Sequence, residues 1–156
     1  MSVPVPKRNL SEAEYLFQTK ELNRRIGEIM TNKPKKYKTN YADKIINAGL
    51  DALGNLQIVD SVYFDQHSSE EEYRIRREAL LKAKGYLAHV STASDIFLEI
   101  VKHHDYASEE KNKHESVRIA KQQLEIGGRC QECINLIDGV LKYDKGIYKK
   151  YIKPRG

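Results

Sequence analysis

Cys130-Gln131-Glu132-Cys133 has the most chemical character of any motif in the chain. Two thiols at i and i+3 share a helix face. Such a pair does redox work when it sits at a helix N-terminus, where the dipole lowers a thiol's pKa. Here it follows Gly127-Gly128-Arg129, in the middle of an apolar-periodic segment. A zinc site needs two more ligands. His103, His104 and His114 belong to the other end of that segment, roughly 25 Å away by helical rise. The thiols therefore read as small hydrophobes at the core or its boundary, with a thiol or metal role as the alternative. His103-His104-Asp105 has the look of a metal or proton-transfer cluster, but it falls at an expected helix C-terminus, where imidazolium also suits the dipole. Glu70-Glu71-Glu72 is what a helix's first turn favours. No glycine-rich phosphate loop, Gly-x-Ser-x-Gly or His-Glu-x-x-His appears, nor a Ser-x-x-Lys in a supporting context. Paired Glu-x-x-His ligands of the di-iron bundles are missing too. The residues point to no catalytic group, no metal ligand and no cofactor.

Two basic clusters are better motivated. Lys33-Pro34-Lys35-Lys36-Tyr37-Lys38 sets four lysines beside an aromatic ring, and Tyr148-Lys149-Lys150-Tyr151-Ile152-Lys153-Pro154-Arg155 repeats the mixture. Lysines pair with phosphates and release counterions, while tyrosine rings stack on unpaired bases at about 1 to 3 kcal/mol per base. The candidate nucleic-acid-binding residues are thus Lys33, Lys35, Lys36, Tyr37, Lys38, Tyr148, Lys149, Lys150, Tyr151, Lys153 and Arg155. Phosphate contacts carry no base information, so neither cluster reads sequence. Ordinary solvated lysines, or a protein-docking tail, are the competing readings. Arg74, Arg76 and Arg77 open another basic stretch, in which Arg76 falls at a seam position suited to an acid across an interface.

The elements that must position these groups are helical. Residues 1–10 are expected to be extended, because Pro4 and Pro6 resist helix. Ser11 and Glu14 form a capping box, and Tyr15, Leu22, Ile26 and Ile29 recur at helical spacing to about Met30, before Asn32 and Pro34. A second helix opens near Thr39 or Asn40, carries Ile45, Ile46, Leu50, Leu53, Leu56 and Val59, and ends around Phe64 to His67. Gly49 and Gly54 within it either permit close contact or weaken it. Ser68 to Glu71 and Ser69 to Glu72 are overlapping capping boxes for a third helix. Its seam is Tyr73, Leu80, Ala83, Leu87, Val90, Phe97 and Val101. After a turn at 103–108, Ser108 caps a fourth, with Val117, Leu124, Ile134, Ile137 and Leu141 as its inner face and Ala120 and Gly127 between them. A short basic tail follows, placed at 144–156, leaving 11–143 as the bundle. Four amphipathic helices with short connections give an all-α, antiparallel, up-down-up-down four-helix bundle. That order puts the Lys33 to Lys38 loop at one pole and both termini at the other.

Composition agrees. The chain of 156 residues fits one domain, with 40% hydrophobic and 31% charged side chains, no Trp and only three Phe. No run approaches the roughly 18 to 20 apolar residues of a membrane span. The N-terminus shows no secretory h-region, so a cytoplasmic location is expected. Residues 7–44 carry 10 basic and 5 acidic groups, residues 45–141 carry 11 and 16, and residues 142–156 carry 6 and 1. Basic ends on an acidic middle suggest an anionic partner, nucleic acid first.

The Met1-Ser2-Val3-Pro4-x-x-Lys7-Arg8 start, the Leu10-Ser11-x-x-Glu14 opening, and the segments Tyr41 to Tyr63 and Glu70 to Ile100 resemble a family of small bacterial four-helix-bundle proteins. The family includes the accessory variability determinant of diversity-generating retroelements and proteins encoded in intervening sequences of ribosomal RNA genes. The resemblance implies a non-catalytic homo-oligomer, a ring-like pentamer, that binds the element's reverse transcriptase and its template RNA. The acidic middle departs from a surface basic all over and moves expected RNA contact to the poles. A protein-interaction or scaffold bundle of a mobile element, without a nucleic-acid role, is the alternative.

Overall fold

A computed structural model of the chain describes residues 10–106 and 113–154, with side chains from Glu14 onward. Four helices dominate: α1 (Leu10–Thr31), α2 (Asp43–Ser61), α3 (Glu70–Asp105) and α4 (Lys113–Ile147). A 3-10 turn at Lys35–Tyr37 and a π turn at Lys38–Ala42 lead into α2, and a second π turn, Tyr148–Ile152, follows α4. No strand occurs among the described residues. No helix there is long and apolar enough to cross a membrane.

The helices form a closed square. α1 packs on α2, α2 on α3, α3 on α4, and α4 returns to α1. Each neighbour in this ring is antiparallel, as short connections favour. The fold is therefore the all-α, up-down-up-down four-helix bundle expected from the sequence. At 1.5 Å per residue, α3 and α4 run about 54 and 52 Å, against about 33 and 28 Å for α1 and α2. The long pair outruns the short pair, and irregular segments cover its ends.

The core is built from the expected faces of α1 and α3. Tyr15, Leu22, Ile26 and Ile29 are buried, as are Leu80, Ala83, Leu87, Val90, Phe97 and Val101. Of the two overlapping boxes, Ser69 and Glu72 close the start of α3: Glu72 N donates to Ser69 Oγ at 3.1 Å and Ser69 N to Glu72 Oε1 at 2.8 Å. The expected caps at Ser11 and Ser108 and the extended segment before residue 10 lie outside the described side chains.

Two stripes differ from expectation. In α2, Leu50 faces outward, while Ile45, Leu56 and Val59 are buried. Gly49 sits at the α1–α2 contact instead, where Asn23 Nδ2 donates to its carbonyl at 3.0 Å. A Cβ on Gly49 would come within 2.4 Å of Asn23 Oδ1, so this glycine permits close approach, whereas one on Gly54 would meet open space.

In α4 the expected Val117 and Leu124 point outward, Leu124 at 79% exposure. The buried face is Ile119, Gln122, Ile126, Cys130, Cys133, Ile137, Val140 and Asp144. Of the expected face Ile137 is buried and Ile134 and Leu141 pack against the core, whereas toward the start of the helix polar and thiol groups take the inner stripe in place of Val117 and Leu124. Asp144 is a polar group of the same buried face, near the helix end. It accepts from Arg76 Nε at 2.8 Å and Nη2 at 3.2 Å, while Arg76 Nη1 donates to the carbonyls of Val59 and Val62. The seam arginine thus finds its acid, and it also closes the C-terminus of α2. For the same reason the chain does not become a tail at residue 144. The helix runs on to Ile147, and Tyr148 stacks on Tyr73 with ring centroids 4.1 Å apart.

Candidate nucleic-acid interface

At the loop pole, Pro34 stops helical pairing and the chain turns sharply onto the end of α3. Tyr37 is drawn inward. Its ring sits edge-on to Tyr41 and Phe97, and its hydroxyl donates to Asp105 Oδ2 at 2.7 Å. That hydrogen bond holds the phenol's pKa above its ordinary value. Lys36 Nζ lies 2.9 Å from Asp105 Oδ1, and Lys38 Nζ lies 2.9 Å from Asp43 Oδ2. Lys35 is exposed, with no ion pair among the described residues. Of the five candidates here, two lysines are already matched by carboxylates and the ring is packed.

The tail pole is arranged differently. Tyr148 is taken up by Tyr73 and by Glu70, whose Oε1 accepts its hydroxyl at 3.0 Å. Lys142, Lys145, Lys149, Lys150 and Lys153 have no ion pair among the described residues, because the local acids are occupied elsewhere: Asp144 by Arg76, Asp138 by Lys84, Glu71 and Glu78 by Arg74. An open groove of about 510 Å³ runs along the end of α4. Gly139 and Gly146 form part of its lining, with Lys142, Tyr143, Lys150 and Tyr151 around them. Tyr143 is 66% exposed and Tyr151 50%. Lys150 Nζ lies 5.2 Å from the centroid of the Tyr151 ring. No heavy atom outside the local helix would come within 4 Å of a Cβ on either glycine. Cations and exposed tyrosine rings share one depression. Of the expected tail residues, Lys150 and Tyr151 border it, Lys149 and Lys153 are exposed nearby, and Arg155 lies outside the described residues.

A third cluster sits on the α1–α4 seam. Lys33 is partly buried, and its Nζ donates to Gln122 Oε1 at 2.7 Å. Burial holds its pKa below the ordinary lysine value, the Arg118 and Arg25 guanidinia push the same way, and Glu115 opposes them. Arg25 Nε is 2.8 Å from Glu125 Oε2, which Arg129 Nε shares at 3.1 Å. The paired guanidinia hold the Glu125 carboxyl below the usual range, Arg25 most strongly.

The thiol motif lies in the core and the histidines lie at the end of α3. Cys130 and Cys133 are buried, and burial pushes the Cys130 thiol up to about 12 and the Cys133 thiol upward too. Thiols so hard to ionise are poor nucleophiles and poor metal ligands. His103 pairs with Glu99 at 3.0 Å on an exposed face, and Asp105 serves the loop. Among the described residues no group of three or more His, Cys, Asp or Glu is placed to hold a metal.

Sequence reasoning missed Lys142, Tyr143, Gly139 and Gly146, having opened its tail cluster at Tyr148. Unforced glycines at seven-residue spacing beside a tyrosine were the available signal. It also missed Arg25, Arg118, Gln122 and Arg129, which are dispersed in sequence and meet only through the antiparallel α1–α4 pairing. The fold defines the class: an antiparallel all-α four-helix bundle with basic ends. Compared with known proteins, the chain matches no family model, no curated protein and no solved structure, so function rests on this geometry.

Proposed function

We propose that this bundle is a non-catalytic nucleic-acid-binding accessory protein that acts in the cytoplasm. It holds single-stranded RNA or DNA at its tail pole. The observation that carries this is the groove of Lys142, Tyr143, Lys150 and Tyr151, where unpaired ammonium groups stand beside exposed rings over a glycine floor. Ammonium groups without carboxylate partners bind phosphates without first breaking an ion pair. Exposed rings accept bases of any identity. The family resemblance supplies the setting: a partner of a retroelement reverse transcriptase and its template RNA, assembled as a homo-oligomer, with the pentamer as the expected size. The test is fluorescence anisotropy with a labelled 20-nucleotide single-stranded RNA. Lys142→Glu combined with Lys150→Glu should weaken binding about tenfold or more and flatten its salt dependence. Unchanged affinity would remove the groove from the function.

A protein-scaffold role is favoured by a separate observation. Val117 (49% exposed) and Leu124 (79%) share the outer side of α4 with Gly128, Gly139 and Gly146. That line suits helix packing by another chain. Light scattering with and without RNA separates the two: an assembly indifferent to RNA, and no RNA retained at about 0.15 M salt, favours the scaffold.

A further inference from the structure

We infer that Lys33, Arg118, Gln122 and Arg25 form a discrete oxyanion site for a phosphate group on the α1–α4 seam, distinct from the tail groove. Four cations converge there: Arg25 and Lys33 from α1 and the turn after it, Arg118 and Arg129 from α4. Three carboxylates face them, Glu125, Glu115 and, at longer range from Arg25, Glu28, and the nearer two answer incompletely. Glu125 is divided between Arg25 and Arg129. Glu115 lies 3.7 Å from Arg118 Nη1, beyond hydrogen-bonding range. Lys33 hydrogen-bonds the neutral amide oxygen of Gln122, and Glu115 acts on it only at longer range.

A partly buried ammonium beside two guanidinia is electrostatically unfavourable. Its lowered pKa is the mark of that cost. A phosphate group from outside the chain would complete it. Arg118 keeps a largely exposed guanidinium able to swing onto a ligand, and a planar guanidinium with an ammonium beside it suits a phosphate's oxygens. Gln122 then orients Lys33 rather than neutralising it.

The site lies on the same side of α4 as the groove. Tyr143 follows Glu125 by about five turns, about 27 Å along the axis. A phosphate bound here comes either from a strand that also reaches the groove or from a separate small phosphoryl ligand.

Two variants test this, Lys33→Gln and the exposed Arg118→Gln, each with the tail intact. Both are measured by anisotropy against the 20-nucleotide RNA and by thermal shift with inorganic phosphate from 0 to about 20 mM. If the phosphate belongs to a strand, each variant weakens RNA about fivefold to tenfold. If it belongs to a small ligand, phosphate raises the melting temperature of the native chain but of neither variant, and RNA affinity holds. In both cases Lys33→Gln without ligand melts no lower than the native chain, since it removes a partly buried charge set beside two guanidinia. Loss of neither RNA affinity nor phosphate response overturns the site. That outcome leaves the groove untouched, because the groove is tested by Lys142→Glu and Lys150→Glu alone.

Discussion

The two ends of the rod are built from the same amino acids and do opposite things with them. Each end pins itself with a tyrosine hydroxyl on a carboxylate, Tyr37 on Asp105 and Tyr148 on Glu70. At the loop pole, Asp105 and Asp43 also take up Lys36 and Lys38. At the tail pole the single nearby acid of the segment, Asp144, is turned inward to a buried arginine, and its lysines are left without partners. Lysine count is therefore a poor guide to available positive charge. Where the carboxylates face decides it.

The largest effect expected from this contrast concerns stability. Arg76 and Asp144 are 3% exposed on each side of their pair. Removing one partner of a buried pair strands the other, at about 3 to 5 kcal/mol. Asp144→Ala should lower the unfolding free energy by that much, whereas Asp105→Asn at the loop pole should cost about 1 kcal/mol or less. Equal losses in urea titrations would show that the poles are held alike. Deleting the chain after Tyr143 would remove Asp144 and Tyr148 together, so point variants are the cleaner probe of the tail.

Binding gives the next largest difference. Lys142→Gln with Lys150→Gln should weaken the RNA complex by about tenfold, about 1.4 kcal/mol, whereas Lys36→Gln with Lys38→Gln should change it about twofold or less. The reverse order in anisotropy titrations would mean that the loop's ion pairs open on binding and that static pairing misjudges the surface.

Glycines sharpen the same comparison. Gly139→Ala adds a methyl to open space and should stabilise the helix by about 0.5 to 1 kcal/mol, yet it raises the floor of the groove and should weaken RNA. Gly49→Ala meets Asn23 at the α1–α2 contact and should destabilise by about 1 kcal/mol. A Gly139→Ala chain that is both more stable and equally tight in binding would take the glycine floor out of the site.

Much of this was legible in the sequence for a physical reason. α1 and α3 bury mainly apolar stripes at unbroken helical spacing, so periodicity reported their faces and the bundle that follows. α4 buries Gln122, Cys130, Cys133 and Asp144, whose burial depends on Lys33, Arg76 and neighbouring helices. No local pattern carries that information, and apolar spacing alone points to Val117 and Leu124 instead. The site suffered similarly. The lysines were visible as letters, but the partners of Lys36 and Lys33, Asp105 and Gln122, are brought to them only by the fold.

The smallest effect is a pH dependence confined to the loop pole. Asp105 has a carboxyl pKa held below its ordinary 3.8, with Lys36 and Tyr37 outweighing its burial. A carboxyl depressed on folding stabilises the fold fully above its unfolded value and loses that contribution as pH falls through the folded one. The gain over Asp105→Asn should thus be constant from pH 7 down to about 4 and should shrink below 3.8 as Asp105 takes up its proton. Because Lys36 is largely exposed, with 60% side-chain accessibility, the difference should stay well under 1 kcal/mol. It should also shrink in added salt, which screens the Lys36 contact but leaves the neutral Tyr37 donor in place. Melting curves of the two chains that stayed parallel from pH 6 to pH 2.5 would mean that Asp105 does not hold the loop through its charge. The stack of Tyr41 on Phe97, with ring centroids 5.2 Å apart, would then be what closes that pole.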